Sequence, residues 1–281
     1  GVQPSEIASQ AAVRALEEAC LPKEKVGVLV STSVCKDYIE PSIASLVHGN
    51  LKLKSHCRNF DIGNACLAFL DGMSMVSNMI EMGEVDYGLV VDGEGSRFVV
   101  EQTLARLQKP DCDEQIFRNH FATLTLGSGA AAMVLARKEL VPEGHPFLGG
   151  LYVAATQYNR LCLGQNDQMI TDAKQLLMAG LKLALDTYHQ AQKKLGWADQ
   201  YLDELVLHQV SEIHTLKLAQ TLKLDVKKMY KLYPHFGNVG PASIPIVLSK
   251  AREQGRLNRG DRIALLGIGS GLNCAMMEVR W

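Results

Sequence analysis

The chain lacks the features that mark several large classes of protein. Its 281 residues carry a formal net charge of −1, so charge gives no argument for binding to nucleic acid or to an anionic membrane surface. No apolar run approaches the roughly 18 residues of a membrane-spanning helix, and no signal peptide is visible. We therefore expect no nucleic-acid partner and no membrane span.

Paired ligand spacings are also missing from the sequence. The seven cysteines form no Cys-x-x-Cys pair, and their odd number does not suggest a secreted disulfide framework. The eight histidines form no His-Glu-x-x-His motif, which is the commonest helical zinc signature. We predict that the protein binds no metal and works in the reducing cytoplasm.

Strand-like and helix-like patterns alternate along the whole chain. The predicted strands are Val26–Ser31, Asn59–Ile62, Tyr87–Val91, Ala130–Leu135, Leu148–Ala155, Glu204–Leu207, Arg262–Ile268 and Cys274–Val279. The predicted helices are Ser5–Cys20, Pro41–Gly49, Cys66–Met82, Met169–Lys194, Ser211–Leu222 and Pro241–Gln254. Nearly continuous apolar strands that alternate with helices are typical of α/β proteins with buried sheets.

A weak internal repeat indicates two related halves. Val26–Ser31 resembles Glu204–His208, and roughly the same offset carries the helix start at Cys66 onto the one at Pro241–Ser243. Such a duplication predicts two pseudo-symmetric halves, residues 1–140 and 141–281.

Two irregular segments stand out between the predicted elements. The boundary between the halves falls near Arg137–Phe147, where two prolines and a glycine interrupt the pattern. Val99–Thr125 shows little strand signal, and we expect a long irregular insertion that forms a lid or a substrate wall.

Cys66 is the strongest candidate nucleophile. It follows the apolar run Phe60–Ile62 and Gly63, and it begins a series of apolar residues spaced three or four apart. At such a junction the free backbone N–H groups and the positive end of the helix dipole converge, and both favour the nucleophilic thiolate. The alternative is a buried structural cysteine.

Two later segments end extended runs and open helices, so they can bring polar side chains to the same sheet edge. They supply His208 and Asn238. Alone, His208 is more often a structural histidine bound to a backbone carbonyl, and Asn238 is more often a turn residue. His235 competes with Asn238, but we interpret His235 as a structural polar group because Asn238 lies nearer the helix start.

The motifs, taken in order, resemble the thiolase superfamily and most closely its ketoacyl synthase III branch. They are Asn64-Ala65-Cys66, Leu207-His208-Gln209, Gly237-Asn238 with Ala242-Ser243-Ile244-Pro245, Leu126–Ala130, and Gly267–Gly271 with Val279–Trp281. Within that branch, Ser33–Ser42 and Tyr233–Gly240 most resemble the OleA family. Members of that family join two fatty acyl-CoA molecules head to head into a β-keto acid, the first step of long-chain olefin synthesis.

The resemblance implies a thiolase-like fold, with two pseudo-symmetric α/β halves stacked in five αβαβα layers. It implies that Cys66 accepts the first acyl group and that His208 and Asn238 donate hydrogen bonds to the carbonyl of the second thioester. It also implies an oxyanion hole made by the backbone N–H groups of Cys66 and Ser270. Thioester substrates of coenzyme A are implied, with no resident cofactor.

The presence of Glu40 distinguishes between two possible condensation reactions. It resembles a glutamate that the OleA family carries on a loop reaching the neighbouring subunit's pocket, where ordinary initiation synthases have an apolar residue. Ordinary ketoacyl synthases make the carbanion by decarboxylating a malonyl group, whereas two plain acyl thioesters need a base that removes an α-proton. The alternative is a solvated loop carboxylate.

The expected function is therefore that of an acyltransferase that performs a non-decarboxylative Claisen condensation of two fatty acyl-CoA thioesters. The alternatives are a synthase III that condenses acyl-CoA with malonyl-ACP, and a non-catalytic fragment. A biosynthetic thiolase is disfavoured because Gly269-Ser270-Gly271 holds no second cysteine. We expect a homodimer, with enzymes downstream in the olefin pathway as candidate partners.

The start of the chain departs from the family's pattern. Family members begin with strands that precede the first helix, and no counterpart precedes the predicted helix at Ser5. We expect a separate N-terminal segment to supply the missing strand and to cover the edge of the sheet.

Overall fold

Two four-stranded sheets organise the computed structural model, which describes residues 2–281. The first half contains helices α1 (Pro4–Glu18), α2 (Ile43–Leu51), α3 (Ala68–Glu81), α4 (Arg97–Leu107) and α5 (Glu114–His120), and strands β1 (Val28–Ser31), β2 (Arg58–Asp61), β3 (Tyr87–Glu94) and β4 (Gly129–Ala136). The second half contains strands β5 (Phe147–Ala154), β6 (Cys162–Gly164), β7 (Met169–Thr171), β8 (Glu204–Leu207), β9 (Arg262–Gly269) and β10 (Asn273–Arg280), and helices α6 (Ala173–Leu195), α7 (Glu212–Leu222), α8 (Tyr233–Phe236) and α9 (Ser243–Glu253).

The two sheets repeat one strand pattern. The first has the order β2-β1-β3-β4, in which β1 runs parallel to β2 and β3, and β4 runs antiparallel to β3. The second has the order β5-β10-β9-β8, in which β8 and β9 are parallel and β10 is antiparallel to β9 and β5. In both sheets a parallel pair is followed by a long antiparallel strand, so the two halves share one strand pattern.

The helices and sheets form five layers. Helices α3 and α9 lie between the sheets in one shared core, which takes Val28 and Val30 from the inner face of β1. Leu29, which alternates with them, points to the outer face, where it packs with residues of α1 and α2. Helices α6 and α7 cover the outer face of the second sheet. The predicted αβαβα arrangement is therefore confirmed.

The structure corrects three local predictions. The segment expected to be irregular forms α4 and α5 instead, and the side chain of Asp113 caps α5 by accepting a hydrogen bond from the N–H of Ile116 at 2.7 Å. Helix α6 begins at Ala173 rather than Met169, because Met169–Thr171 pairs with Cys162–Gly164 as a strand. Helix α3 begins at Ala68, after a 3₁₀ turn over Ala65–Leu67 that contains Cys66.

The sheets differ at one edge. Strand β10 pairs with β5 on its outer side, whereas the matching side of β4 has no strand partner among residues 2–281. The expected N-terminal segment stays a prediction. None of the helices in the described part of the chain is long and apolar enough to cross a membrane.

Candidate active site

A cavity of about 1200 Å³ lies where the carboxyl ends of the parallel strands of both sheets meet. Cys66, His208 and Asn238 line it, and so does Ser270. Polar residues gather there because successive parallel strands deliver the loops that follow them to the same edge. The structure thus brings together four of the five predicted site residues.

The turn that carries Cys66 is held from both sides. Ala65 has a φ of 44°, a left-handed conformation that costs a non-glycine residue about 1–3 kcal/mol. The Asn64 amide donates a hydrogen bond to the carboxylate of Asp71 at 2.7 Å and accepts one from the Asn273 amide at 3.1 Å. These bonds tie the Cys66 turn to α3 and to the strand that follows the Ser270 turn, so both halves position the nucleophile.

A glycine next to Ser270 lies directly against Cys66. A Cβ atom on Gly269 would come within 3.4 Å of the backbone nitrogen of Cys66. The absence of a side chain there leaves room beside the Cys66 N–H group. The geometry is compatible with the predicted oxyanion hole of Cys66 and Ser270.

The protonation state of Cys66 differs from the expectation. Burial raises the pKa of the Cys66 thiol to about 12, and the negative charge of Glu94 adds to the effect. The expected thiolate is therefore wrong for the resting site, because desolvation outweighs the position near a helix start. Cys66 is a thiol that must lose its proton during acyl transfer.

His208 and Asn238 contact each other directly. Nε2 of His208 lies 3.1 Å from Oδ1 of Asn238, and the same oxygen accepts a hydrogen bond from the N–H of Gly240 at 3.1 Å. Burial lowers the pKa of His208 to about 4, so its imidazole is neutral near pH 7. Because the Asn238 oxygen is an acceptor, Nε2 carries the hydrogen, and the Asn238 amide NH₂ is directed away from the ring.

The backbone at Asn238 is fixed by the segment Thr125–Gly127. The N–H of Asn238 donates to the carbonyl of Thr125 at 2.9 Å, and the N–H of Gly127 donates to the carbonyl of Asn238 at 2.8 Å. A Cβ on Gly127 would lie 1.7 Å from the carbonyl oxygen of Phe236, so only glycine permits this approach. The glycine motif seen in the sequence thus places Asn238.

Glu40 and His235 lie outside the cavity of their own chain. Glu40 is exposed, on the loop between β1 and α2. His235 is exposed on α8, while Asn238 is the residue that reaches His208. The structure therefore favours Asn238 over His235 as the partner of the histidine.

The sequence analysis missed two buried carboxyl groups at the end of β3. Glu94 lines the cavity, and Asp92 lies two residues before it. Burial raises the pKa of both groups, and the proximity of Glu94 raises the pKa of Asp92 further. Their position at the carboxyl end of a buried strand, like that of His208 after β8, was a signal that could have identified them.

An apolar arm of the cavity runs between the second sheet and its outer helices. It is lined by Leu176, Leu177, Leu181 and Ala184 of α6, Leu218 of α7, and Leu207, Leu266, Ile268 and Met276 of the sheet. Side chains of this kind bind an alkyl chain by the hydrophobic effect. In residues 2–281, no group of three or more potential metal ligands is found.

Two family models match the chain. The model of 3-oxoacyl-[acyl-carrier-protein (ACP)] synthase III matches residues 60–149, and the model of its C-terminal region matches residues 192–281. The first contains Cys66, and the second contains His208, Asn238 and Ser270.

The chain is also similar to characterised proteins along its whole length. It is 54% identical to the acyl-CoA:acyl-CoA alkyltransferase of Xanthomonas campestris pv. campestris over 280 residues, covering 100% of this chain and 83% of that protein. It is 34% identical to the protein of the same name from Shewanella oneidensis, covering 100% of this chain and 84% of that one. The β-ketoacyl-ACP synthase III of Desulfitobacterium hafniense is 28% identical, with coverage of 99% and 83%.

Solved structures agree with these relationships. A crystal structure of Xanthomonas campestris OleA with bound lauric acid and lauroyl-CoA, in which a cysteine is replaced by serine, matches with a TM-score of 0.98 and 53% identity. The match covers 100% of this chain and 83% of that one. Further forms of that protein carry a substituted glutamate or histidine, at the same TM-score and identity. The intervals between those three positions equal the intervals between Cys66, Glu40 and His208 here.

Proposed function

Because the chain belongs to the OleA family of ketoacyl synthase III-like condensing enzymes, we propose that it is an acyltransferase that joins two fatty acyl-CoA thioesters by a non-decarboxylative Claisen condensation. The observation that carries the proposal is that Cys66, His208 and Asn238 share one cavity with an apolar arm. The same cavity can therefore hold an acyl chain and place its thioester at a nucleophile.

The first step is acyl transfer to Cys66. The sulfur of Cys66 attacks the carbonyl carbon of the first acyl-CoA, and the bond to the CoA sulfur breaks. The thiol proton of Cys66 ends on the departing CoA sulfur, so one thioester is exchanged for another. The backbone N–H groups of Cys66 and Ser270 stabilise the oxyanion of the tetrahedral intermediate.

The second step forms the carbon–carbon bond. His208 and Asn238 donate hydrogen bonds to the thioester carbonyl of the second acyl-CoA, so the bond between them must open as that oxygen enters. Glu40 removes the α-proton, and the enolate attacks the acyl carbonyl on Cys66, whose sulfur leaves. Hydrolysis of the remaining CoA thioester by water then gives the β-keto acid.

Glu40 acts on the cavity of a neighbouring copy in this proposal. Its side chain is exposed and lies outside its own cavity. Its interval from Cys66 equals that between the substituted glutamate and cysteine of the Xanthomonas campestris protein. We accordingly propose a homodimer, active in the cytoplasm and without a resident cofactor.

A two-stage chase tests the proposal. The protein is first loaded with lauroyl-CoA, and the adduct is mapped by peptide mass spectrometry. Myristoyl-CoA is then added alone or together with malonyl-CoA. We expect one lauroyl group on the peptide with Cys66, followed by a mixed β-keto acid that contains both chains, without malonyl-CoA. Acylation of Cys35 or Cys274 instead of Cys66, or a strict need for malonyl groups, would contradict the proposal and favour the synthase III reaction.

A further inference from the structure

The proposed reaction makes no use of the carboxyl group of Glu94. Its side chain is only 4% exposed and lies in the cavity wall. Oε1 accepts a hydrogen bond from the N–H of Val34 at 2.6 Å, and Oε2 accepts one from the N–H of Cys35 at 3.2 Å. Both oxygens of a buried carboxyl group are thus bound to the backbone of a single loop.

Two donors aimed at one carboxyl group indicate that Glu94 is ionised and that its neighbour holds the proton. Burial and the proximity of Glu94 raise the pKa of Asp92 well above its usual range, and Oδ1 of Asp92 has no hydrogen-bond partner in the described part of the chain. On Glu94, by contrast, the N–H groups of Val34 and Cys35 oppose the effect of burial. Charge-assisted bonds of this kind are about twice as strong as neutral ones.

The loop that Glu94 binds is the loop that carries Glu40. It runs from Val34 to Pro41, and its tip is strongly exposed, with Ile39 at 93%. Glu94 holds the beginning of this loop from the interior of the molecule.

Two further carboxylates hold the middle and the end of the same loop. Asp37 accepts a hydrogen bond from the N–H of Ser5 at 3.1 Å. Asp61 pairs with Lys36 and also accepts a hydrogen bond from the N–H of Ala44, in the first turn of α2, at 2.9 Å. The base of the loop is therefore fixed on several sides while the tip, with Glu40, stays free to enter another molecule.

We propose that Glu94 is a positioning residue for Glu40: it fixes Val34 and Cys35 so that the loop tip presents Glu40 at the cavity of the neighbouring copy. The inference rests on the proposed function, in which Glu40 is the base. Glu94 also lies against the turn after Asn238, since a Cβ on Gly240 would be 3.6 Å from its carboxyl carbon. It thus links the loop that reaches the neighbouring copy's active site to the wall of the active site in its own chain.

The charge of Glu94 should affect the rates of acylation and condensation in opposite directions. Its negative charge is one cause of the raised pKa of the Cys66 thiol, so removing that charge makes Cys66 easier to deprotonate. Glu94→Gln should therefore be acylated at least as fast as the wild type. Condensation should nevertheless slow, because glutamine turns an NH₂ group toward one of the two loop N–H groups and leaves that donor unpaired.

The experiment compares Glu94→Gln, Glu40→Gln and the double variant. Single-turnover acylation by myristoyl-CoA and β-keto acid formation are measured separately for each. We expect Glu94→Gln to keep or increase the acylation rate and to lower condensation by roughly 10–10²-fold, the usual effect of a misplaced catalytic group. The double variant should condense no more slowly than Glu40→Gln alone, because Glu94 acts through Glu40.

Glu204→Gln is the matched control. Glu204 is 3% exposed and binds Arg256 through both oxygens at 2.8 and 2.9 Å, away from the loop. Its loss should lower stability while the ratio of condensation to acylation stays at the wild-type value.

Two results would overturn the role of Glu94. Equal losses of acylation and condensation in Glu94→Gln would show general disruption, and a double variant slower than Glu40→Gln would show that Glu94 acts independently. A wild-type condensation rate in Glu40→Gln would be a different failure, because it would remove the proposed function itself.

Discussion

The side chains of His208 and Asn238 are joined by a hydrogen bond of 3.1 Å between Nε2 and Oδ1. The two residues come from different loops of the second half, and both line the cavity that Cys66 of the first half also lines. In the proposed reaction, this bond opens when the thioester carbonyl of the second acyl-CoA takes the place of the Asn238 oxygen.

The first prediction concerns the pH dependence of His208. Burial lowers its pKa to about 4, so between pH 6.5 and 4 the unfolded chain binds a proton that the folded protein excludes. The folded state should lose stability relative to His208→Asn as the pH falls through this range, by at most about 1.4 kcal/mol per pH unit. Urea unfolding of both proteins at several pH values checks this. A difference in unfolding free energy that stays constant from pH 6.5 to 4 would contradict it.

The second prediction concerns Gly127. Gly127→Ala places a methyl group where the carbonyl oxygen of Phe236 lies, so the segment that holds Asn238 must move. We expect a loss of roughly 1–3 kcal/mol in unfolding free energy and a larger loss of condensation than of Cys66 acylation.

Gly49→Ala is the control for that substitution. Gly49 lies in α2, and its added methyl group would meet no atom within 4 Å. This variant should be unchanged in activity and more stable by about 0.5–1 kcal/mol, because alanine is the better helix former. Similar unfolding curves for the two alanine variants would show that the close approach at Gly127 is unimportant.

The third prediction tests whether Glu40 acts across subunits. Cys66→Ala lacks the nucleophile and should make no β-keto acid. Glu40→Gln lacks the base and should condense roughly 10²–10⁴-fold more slowly than the wild type. After mixing and subunit exchange, one site of each mixed dimer combines Cys66 of one copy with Glu40 of the other. We expect condensation to return in the mixture.

A mixture that cannot complement serves as the control. Glu40→Gln combined with the double variant Cys66→Ala and Glu40→Gln supplies no base, and it should remain as slow as Glu40→Gln alone. If mixed dimers form, as shown by native mass spectrometry, and the first mixture also stays that slow, the cross-subunit role of Glu40 is wrong.

Most strands and helices could be predicted from the sequence because buried apolar residues recur at regular intervals along each element. Val28 and Val30 face one core and Leu29 the other, which produces the continuous apolar run that predicts a strand covered on both faces. Helix α4 was missed because its apolar residues follow the helical period only weakly, and α5 was missed because it has only 7 residues.

The active site could be predicted from the sequence only in part, for a different physical reason. Cys66, His208 and Asn238 stand in short motifs at the ends of strands, so their approach could be inferred. The binding of Val34 by Glu94 joins residues 60 positions apart, and no local pattern encodes such a contact. The raised pKa of Cys66 likewise depends on how deeply the finished cavity buries the thiol.

An isotope-labelling experiment that shows where each half of the product comes from tests the central claim most directly. The protein is given myristoyl-CoA labelled with ¹³C at the carbonyl carbon, together with unlabelled malonyl-CoA, and the β-keto acid is analysed by mass spectrometry. The account predicts a product with label at both the carboxyl and the keto carbon, formed equally well when malonyl-CoA is left out. A product labelled only at the keto carbon, and formed only with malonyl-CoA, would contradict it.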